Sequence, residues 1–186
     1  MKKITLGLLS IFTASSLFAG TYSVDTSHST AGFSVKHMMV TNVHGKFTSY
    51  DAKVEFDDAT KTFKKLVANI DTNSIDTGIE KRDNHLRSDD FFAVEKFPKM
   101  TFEMTSYKAD GDDGKMTGNL TIRGITKPVV LEVEDIAILG DKVGFSLEGK
   151  INRQDFDLKW NKAIELGGVA VSDEVKIKVD IEAKKQ

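Results

Sequence analysis

Four histidines, His28, His37, His44 and His85, have the widest choice of chemistry in this chain. A metal site built from them would need helical spacing at i, i+4, strand spacing at i, i+2, or cysteine partners. No pair has either spacing, and the chain contains no cysteine. The histidines are therefore expected as hydrogen-bonded residues within the fold or at its rim, with no metal. Ser29, His28 and Asp25, or His85 with Asp83, supply the residue types of a nucleophile relay. Neither set lies in a nucleophile elbow, and adjacency in sequence does not give triad geometry. No catalytic residue is assigned, and the expectation is a protein that is not an enzyme.

A second charged constellation lies in "GIEKRDNHLRSDDFF", Gly78 to Phe92. Thr77 and Glu80 have the S/T-x-x-E spacing of a capping box, and Glu80 falls in a first turn, where the helix dipole favours negative charge. A helix over 77–90 follows. On it Ile79, Arg82, Asp83 and Leu86 make an i, i+3, i+4, i+7 stripe. Ile79 and Leu86 should face the protein, which places Arg82 and Asp83 on or near the buried face with His85 on the flank. Such charges need partners. They either pin a helix cover to the fold or form a polar collar that meets a ligand's head group.

The elements that must position these residues are strands. Period-2 alternation puts Ala31, Phe33 and Val35 on one face, then Tyr50, Ala52, Val54 and Phe56, then Leu66, Ala68 and Ile70. It continues through Met100, Phe102 and Met104; Leu120 and Ile122; Val129, Leu131 and Val133; Phe145, Leu147 and Ile151; and Val175, Ile177, Val179 and Ile181. Phe47 is out of phase with Tyr50, which predicts a bulge or bend near Thr48. Turn chemistry in "ADGDDGK", "RGITKP" and "LGDKVG" separates several strands and suits antiparallel hairpins. The fold class is all-β. About eight such strands close into a small barrel, packed solid or holding one ligand; a two-sheet sandwich has the same alternation.

The first twenty residues, "MKKITLGLLSIFTASSLFAG", have the layout of a secretory signal peptide: two lysines, a short apolar run, and a small residue at Ala19. The domains read as 1–19, signal peptide, and 20–186, one domain with a sizeable core. Without Lys2 and Lys3 the balance is 24 basic to 28 acidic residues, a net charge of −4. A mildly acidic chain without a basic block is a poor nucleic-acid binder. The lack of cysteine excludes disulfides, a thiol nucleophile and a lipidated N-terminal cysteine. Export to a bacterial periplasm, without stable membrane insertion, is expected. A homodimer is compatible with the sequence.

Four motifs in order carry a resemblance: "YSVDTSHSTAGFSVKHMMVTNVHGKF", "RDNHLRSDDFF…KFPKMTFE", "GNLTIRGITKPVVLEV" and "INRQDFDL". The chain from Tyr22 to Ile181 resembles the YceI family, also called polyisoprenoid-binding proteins. The resemblance implies a lipocalin-like, eight-stranded antiparallel β-barrel with a short helix near the barrel mouth. It also implies non-catalytic binding of a polyisoprenoid, an isoprenoid quinone or a fatty acyl amide along an apolar channel. The channel expected from alternation and resemblance together runs past Phe33, Val35, Phe47, Leu86, Phe91, Phe92, Phe102, Met104, Leu120, Ile122, Phe145, Leu147 and Trp160. His37, Arg82, Asp83, His85 and Arg153 are expected as head-group contacts or helix pins.

No cofactor is expected beyond the bound isoprenoid or acyl lipid. Burial supplies about 0.8 kcal/mol per methylene, so a sixteen-carbon chain gains on the order of 12 kcal/mol before ordering costs. Micromolar binding needs no charged head-group contact. The alternatives are a stress-related protein with a solid core that acts through its surface, or a metal-dependent hydrolase.

Overall fold

The computed structural model describes residues 19–163 and 169–186; the remainder of the expected signal peptide lies outside them. The described chain is built of eleven strands and one α-helix. The strands are β1 (Gly20–Val24), β2 (Thr30–His37), β3 (Thr41–Phe47), β4 (Tyr50–Asp57), β5 (Thr62–Asp71), β6 (Ile75–Asp76), β7 (Lys99–Asp110), β8 (Asp113–Ile122), β9 (Ile125–Leu139), β10 (Lys142–Asn152) and β11 (Val171–Lys185). The helix, α1, is Glu80–Arg87. All pairings between named strands are antiparallel. The order β1-β4-β5-β7-β8-β9-β10-β11 returns to β1, so eight strands close a barrel. That closure decides against a sandwich. β2 and β3 extend the wall beyond it, β2 on the upper half of β11 and β6 on the last two residues of β3.

β8 shows how the sequence dictates the wall: Gly114, Met116, Gly118, Leu120 and Ile122 are buried, and the residues between them are not. The β8–β9 connection turns over Arg123 and Gly124, both with positive φ (51° and 73°), the conformation of a two-residue hairpin that follows sheet twist. In β9 the inward phase jumps from Val133 to Ile136. Asp135, at φ 59°, forms a bulge there, with the register against β10 shifting between Gly144 and Ser146. The bend expected near Thr48 is the break between β3 and β4, where the Thr48 N–H bonds the Ser74 carbonyl at 3.1 Å.

The two ends of the barrel differ. One end is plugged by aromatic rings: Tyr22 on Phe56, Phe56 on Phe63, and Phe63 on both Tyr107 and Phe145, with centroids 4.8–6.3 Å apart. The chain ends meet there, Tyr22 opposite Lys185 and Val24 opposite Ala183. At the other end α1, the turns after it and the segment 153–163 pack over the rim. Among the described residues no helix is long and apolar enough to cross a membrane.

Three expectations for the helix are corrected. It spans Glu80–Arg87, shorter at both ends than the expected 77–90, with Ile79 as its N-cap and no side-chain cap, so Thr77 and Glu80 do not form a capping box. Gly78, at φ 78°, turns the chain between Thr77 and the helix, which sends the Thr77 side chain to Asp83 instead. Ile79, expected to face inward, is 52% exposed.

Candidate functional site

Inward side chains do not fill the barrel. A cavity of about 220 Å³ runs from the rim toward the aromatic plug. Its lining along β11 extends from Val171 to Ile181, ten residue steps, or roughly 33 Å of strand. At a barrel tilt of 35–45° that is about 25 Å along the axis. The wall is carbon almost throughout. Among the described residues, Arg153 is the one charged residue on it, and the Tyr50 ring brings the one phenol.

Eleven of the thirteen residues expected on the channel line this cavity: Phe33, Val35, Phe47, Leu86, Phe91, Phe92, Phe102, Leu120, Ile122, Phe145 and Leu147. Phe33 sits opposite Gly45, and its ring occupies the space a Gly45 side chain would fill; the Phe102 ring covers Gly118 in the same way. These glycines let rings lie flat along the wall and leave the lumen open. Met104 and Trp160 do not line the cavity. Met104 is half-buried against the core beside a bulge at Thr105. Trp160 packs behind the lining, edge-to-face with His85 at 4.8 Å and tilted against Phe91 at 5.3 Å.

The polar residues divide by what their hydrogen bonds already hold. Arg153 is 3% exposed, and all five of its N–H groups have partners. Nε donates to the Ser172 carbonyl (2.9 Å), Nη1 to the carbonyls of Leu158 and Trp160, and Nη2 to the Val171 carbonyl and to Asp173 (3.1 Å). Burial pushes its pKa down from the ordinary value, and Asp173 opposes that shift. Arg153 thus staples the segment 158–160 to the start of β11 and has no donor left for a ligand.

Arg82 and Asp83 both act on Thr77 and make no ion pair with each other. Arg82 donates from Nε to the Thr77 hydroxyl (2.7 Å) and from Nη2 to its carbonyl (2.8 Å). The same hydroxyl donates to Asp83 Oδ1 (2.5 Å), which also accepts the Thr77 N–H (2.9 Å). Arg87 adds bonds to the carbonyls of Asn73 and Ile75, so α1 is pinned to the strand end before it. Neither Arg82 nor Asp83 reaches the cavity wall. His85 bonds Asp90 at 2.9 Å, and its imidazole lies half-exposed beside Phe91. His37 is exposed at the end of β2.

The nucleophile relays do not assemble. His28 Nδ1 meets Asp25 at 2.9 Å, but the Ser29 hydroxyl bonds the Glu182 backbone. His85 turns to Asp90 and Asp83 to Thr77. Asp25, His28 and Glu182 lie close enough to share an ion, yet the Lys142 ammonium, 2.6 Å from Glu182, already supplies a cation there.

Alternation predicts Tyr50 as an inward position of its strand and gives it no part in the site. Its ring lines the cavity, and its hydroxyl is buried without a hydrogen-bond partner. Burial pushes its pKa up, and the nearby Asp25 charge adds to the rise.

The family described as the YceI-like domain matches residues 22–183. Protein YceI of Salmonella newport (strain SL254) is 37% identical over 196 residues, covering 100% of both chains. The crystal structure of the Campylobacter jejuni YCEI protein is 39% identical with a TM-score of 0.72, over 100% of this chain and 99% of that one. A polyisoprenoid binding domain from Saccharophagus degradans shares the fold at 17% identity and a TM-score of 0.64, over 91% of this chain and 99% of that one.

Proposed function

The chain belongs to the YceI family, and from that premise we propose that it is a non-catalytic carrier of a long apolar molecule. A polyisoprenoid, an isoprenoid quinone or a fatty acyl amide enters lengthwise at the rim, and its tail lies against the eleven lining residues named above. The single observation that carries this reading is the elongated cavity with a wall of carbon. Tail burial supplies the affinity, at about 0.8 kcal/mol per methylene. The ligand named for the Saccharophagus degradans domain supports the isoprenoid class.

Arg82, Asp83 and Arg153 act in this reading as pins for the rim: the Arg153 donors are all engaged, and Arg82 and Asp83 are bonded to Thr77 and stand off the cavity wall. His85, half-exposed next to Leu86 and Phe91, is the polar group best placed to meet a head group. His37 stands farther out at the end of β2. The reading needs no cofactor, metal or nucleic acid. The N-terminal pattern of Lys2, Lys3 and a short apolar run to Ala19 supports export to the periplasm with cleavage near Ala19. A solid-cored protein acting through its surface has no use for a void of this size.

Native mass spectrometry of the purified protein, with organic extraction of what accompanies it, tests the proposal. A stoichiometric prenyl or acyl lipid is expected. A chain that carries none, and takes up none when prenyl and acyl lipids are added, refutes it.

A further inference from the structure

The hairpin between β2 and β3 turns over Met38 and Met39, closed by the Val40 N–H on the His37 carbonyl at 3.1 Å. Both methionines have left-handed backbone, φ 53° and 60°. Such turns favour asparagine and glycine, and the conformation is costly for larger side chains. The strain comes with exposure: Met38 is 41%, Met39 63% and Val40 78% exposed. Three consecutive apolar residues thus stand in water where the backbone itself prefers polar or absent side chains. Hairpin geometry accounts for the backbone, as it does at Arg123 and Gly124, but not for the choice of apolar side chains at this tip.

Charge and position narrow what the tip meets. From Ser27 to Tyr50 there is no Asp or Glu, in a chain that has 28 of them. Lys36, His44 and Lys46 are exposed along the hairpin, and His37 adjoins the tip. The acids of β11 nearest the tip are already paired, Asp173 with Arg153 and Glu174 with Lys150; Asp180 lies at the far end of the pairing, opposite Thr30. His37 pairs with Val171, and Val35 with Val175; these three valines lie on the cavity wall. The tip therefore projects past the cavity rim, at the end of the barrel opposite the aromatic plug.

We infer that Met38–Val40 is a membrane-contact site for a bilayer surface carrying anionic head groups. The three apolar side chains enter the acyl boundary, and Lys36 and Lys46 lie at head-group level, the division of labour seen in peripheral membrane contacts. The choice of a bilayer over a protein surface rests on the ligand reading above. A molecule suited to this cavity resides in bilayers, and contact at the tip brings the rim against its source.

The test is co-sedimentation of the purified chain with vesicles of phosphatidylcholine containing 30% phosphatidylglycerol, the N-terminal segment being the same in every variant. Met38→Asn with Met39→Gly removes the apolar tip and installs the residues this turn prefers. Its denaturation midpoint should be unchanged or higher, while vesicle partitioning falls at least tenfold. Lys36→Gln should lower binding to the anionic vesicles about fivefold and leave pure phosphatidylcholine unaffected. Wild-type chain that ignores the anionic vesicles, or an Asn-Gly variant that binds them equally well, overturns the inference. So does a wild-type dimer that the Asn-Gly variant splits, which would assign the tip to a second copy. Uptake of a prenyl lipid added from ethanol is measured separately: its failure counts against the carrier reading, while the vesicle result still decides the contact.

Discussion

The Thr77 hydroxyl sits between two charges, accepting from Arg82 and donating to Asp83, and this arrangement makes a quantitative prediction. Asp83 is 6% exposed and accepts two bonds from Thr77. Hydrogen bonds to a charged group are each worth about 1.5–3 kcal/mol. Asp83→Ala removes both and leaves the Thr77 N–H without its acceptor, so a loss of about 3 kcal/mol is expected. Thr77→Val removes the hydroxyl alone and should cost about 2 kcal/mol. Both changes break the hydroxyl–carboxylate bond, so the double variant should lose roughly 3.5 kcal/mol, well short of the sum of the singles. Arg82→Ala should cost less than Asp83→Ala, because Arg82 is half-buried and water can replace it. Urea denaturation of the four proteins, with unchanged slopes, measures the coupling. Additivity within about 0.5 kcal/mol, or single losses under 1 kcal/mol, would mean that Asp83 is solvated and the pin does not hold α1.

Three further outcomes follow from the cavity and the strand ends. Phe102→Trp enlarges a ring that already lies over Gly118 on the wall; it should cost roughly 1–3 kcal/mol from overpacking and shorten or exclude the bound chain, as read by mass spectrometry of the extract. Tyr50→Phe deletes a buried hydroxyl with no partner and should raise stability by roughly 1 kcal/mol in urea; a loss instead would reveal a partner for that oxygen. His28 should titrate above the ordinary histidine value by NMR, chiefly through its hydrogen bond to Asp25, and Asp25→Asn should bring it down. Its pKa is raised on folding, so any stability from the pair is fully present below the ordinary histidine value and is lost as pH rises through the raised one.

The strands were legible wherever the inward positions carry apolar side chains, as in β9 and β10. β3 was not, because its central inward position is Gly45, whose space the Phe33 ring takes. The apolar signal belongs to the neighbouring strand. β6 is two residues long, too short for any period. The helix was legible, but its start was misplaced: Thr77 has the spacing of a cap, and only the turn at Gly78 shows that its hydroxyl goes to Asp83. Most of the cavity wall could be inferred from alternation. Trp160 and Met104 could not be sorted from it, since residue type does not distinguish a ring inside a wall from one stacked behind it. The commitment of all five Arg153 donors likewise depends on carbonyls that no side-chain pattern marks.

The barrel closes through three residue pairs between its first and last strands, Tyr22–Lys185, Ser23–Lys184 and Val24–Ala183. These partners are separated by almost the whole chain, so the seam is its most non-local contact. Loop-closure entropy must be met before such a contact contributes, and barrels dominated by distant pairings fold on the millisecond-to-second scale. Until β11 docks, β1 and β10 remain unsatisfied edges, open to pairing with other chains. Hairpins such as β7–β8 and β8–β9 can form early from local turns. The lumen becomes a lumen only at the final event. A ligand present during folding could then be trapped without ever passing the rim, and refolding with and without lipid would separate that route from entry into the finished barrel.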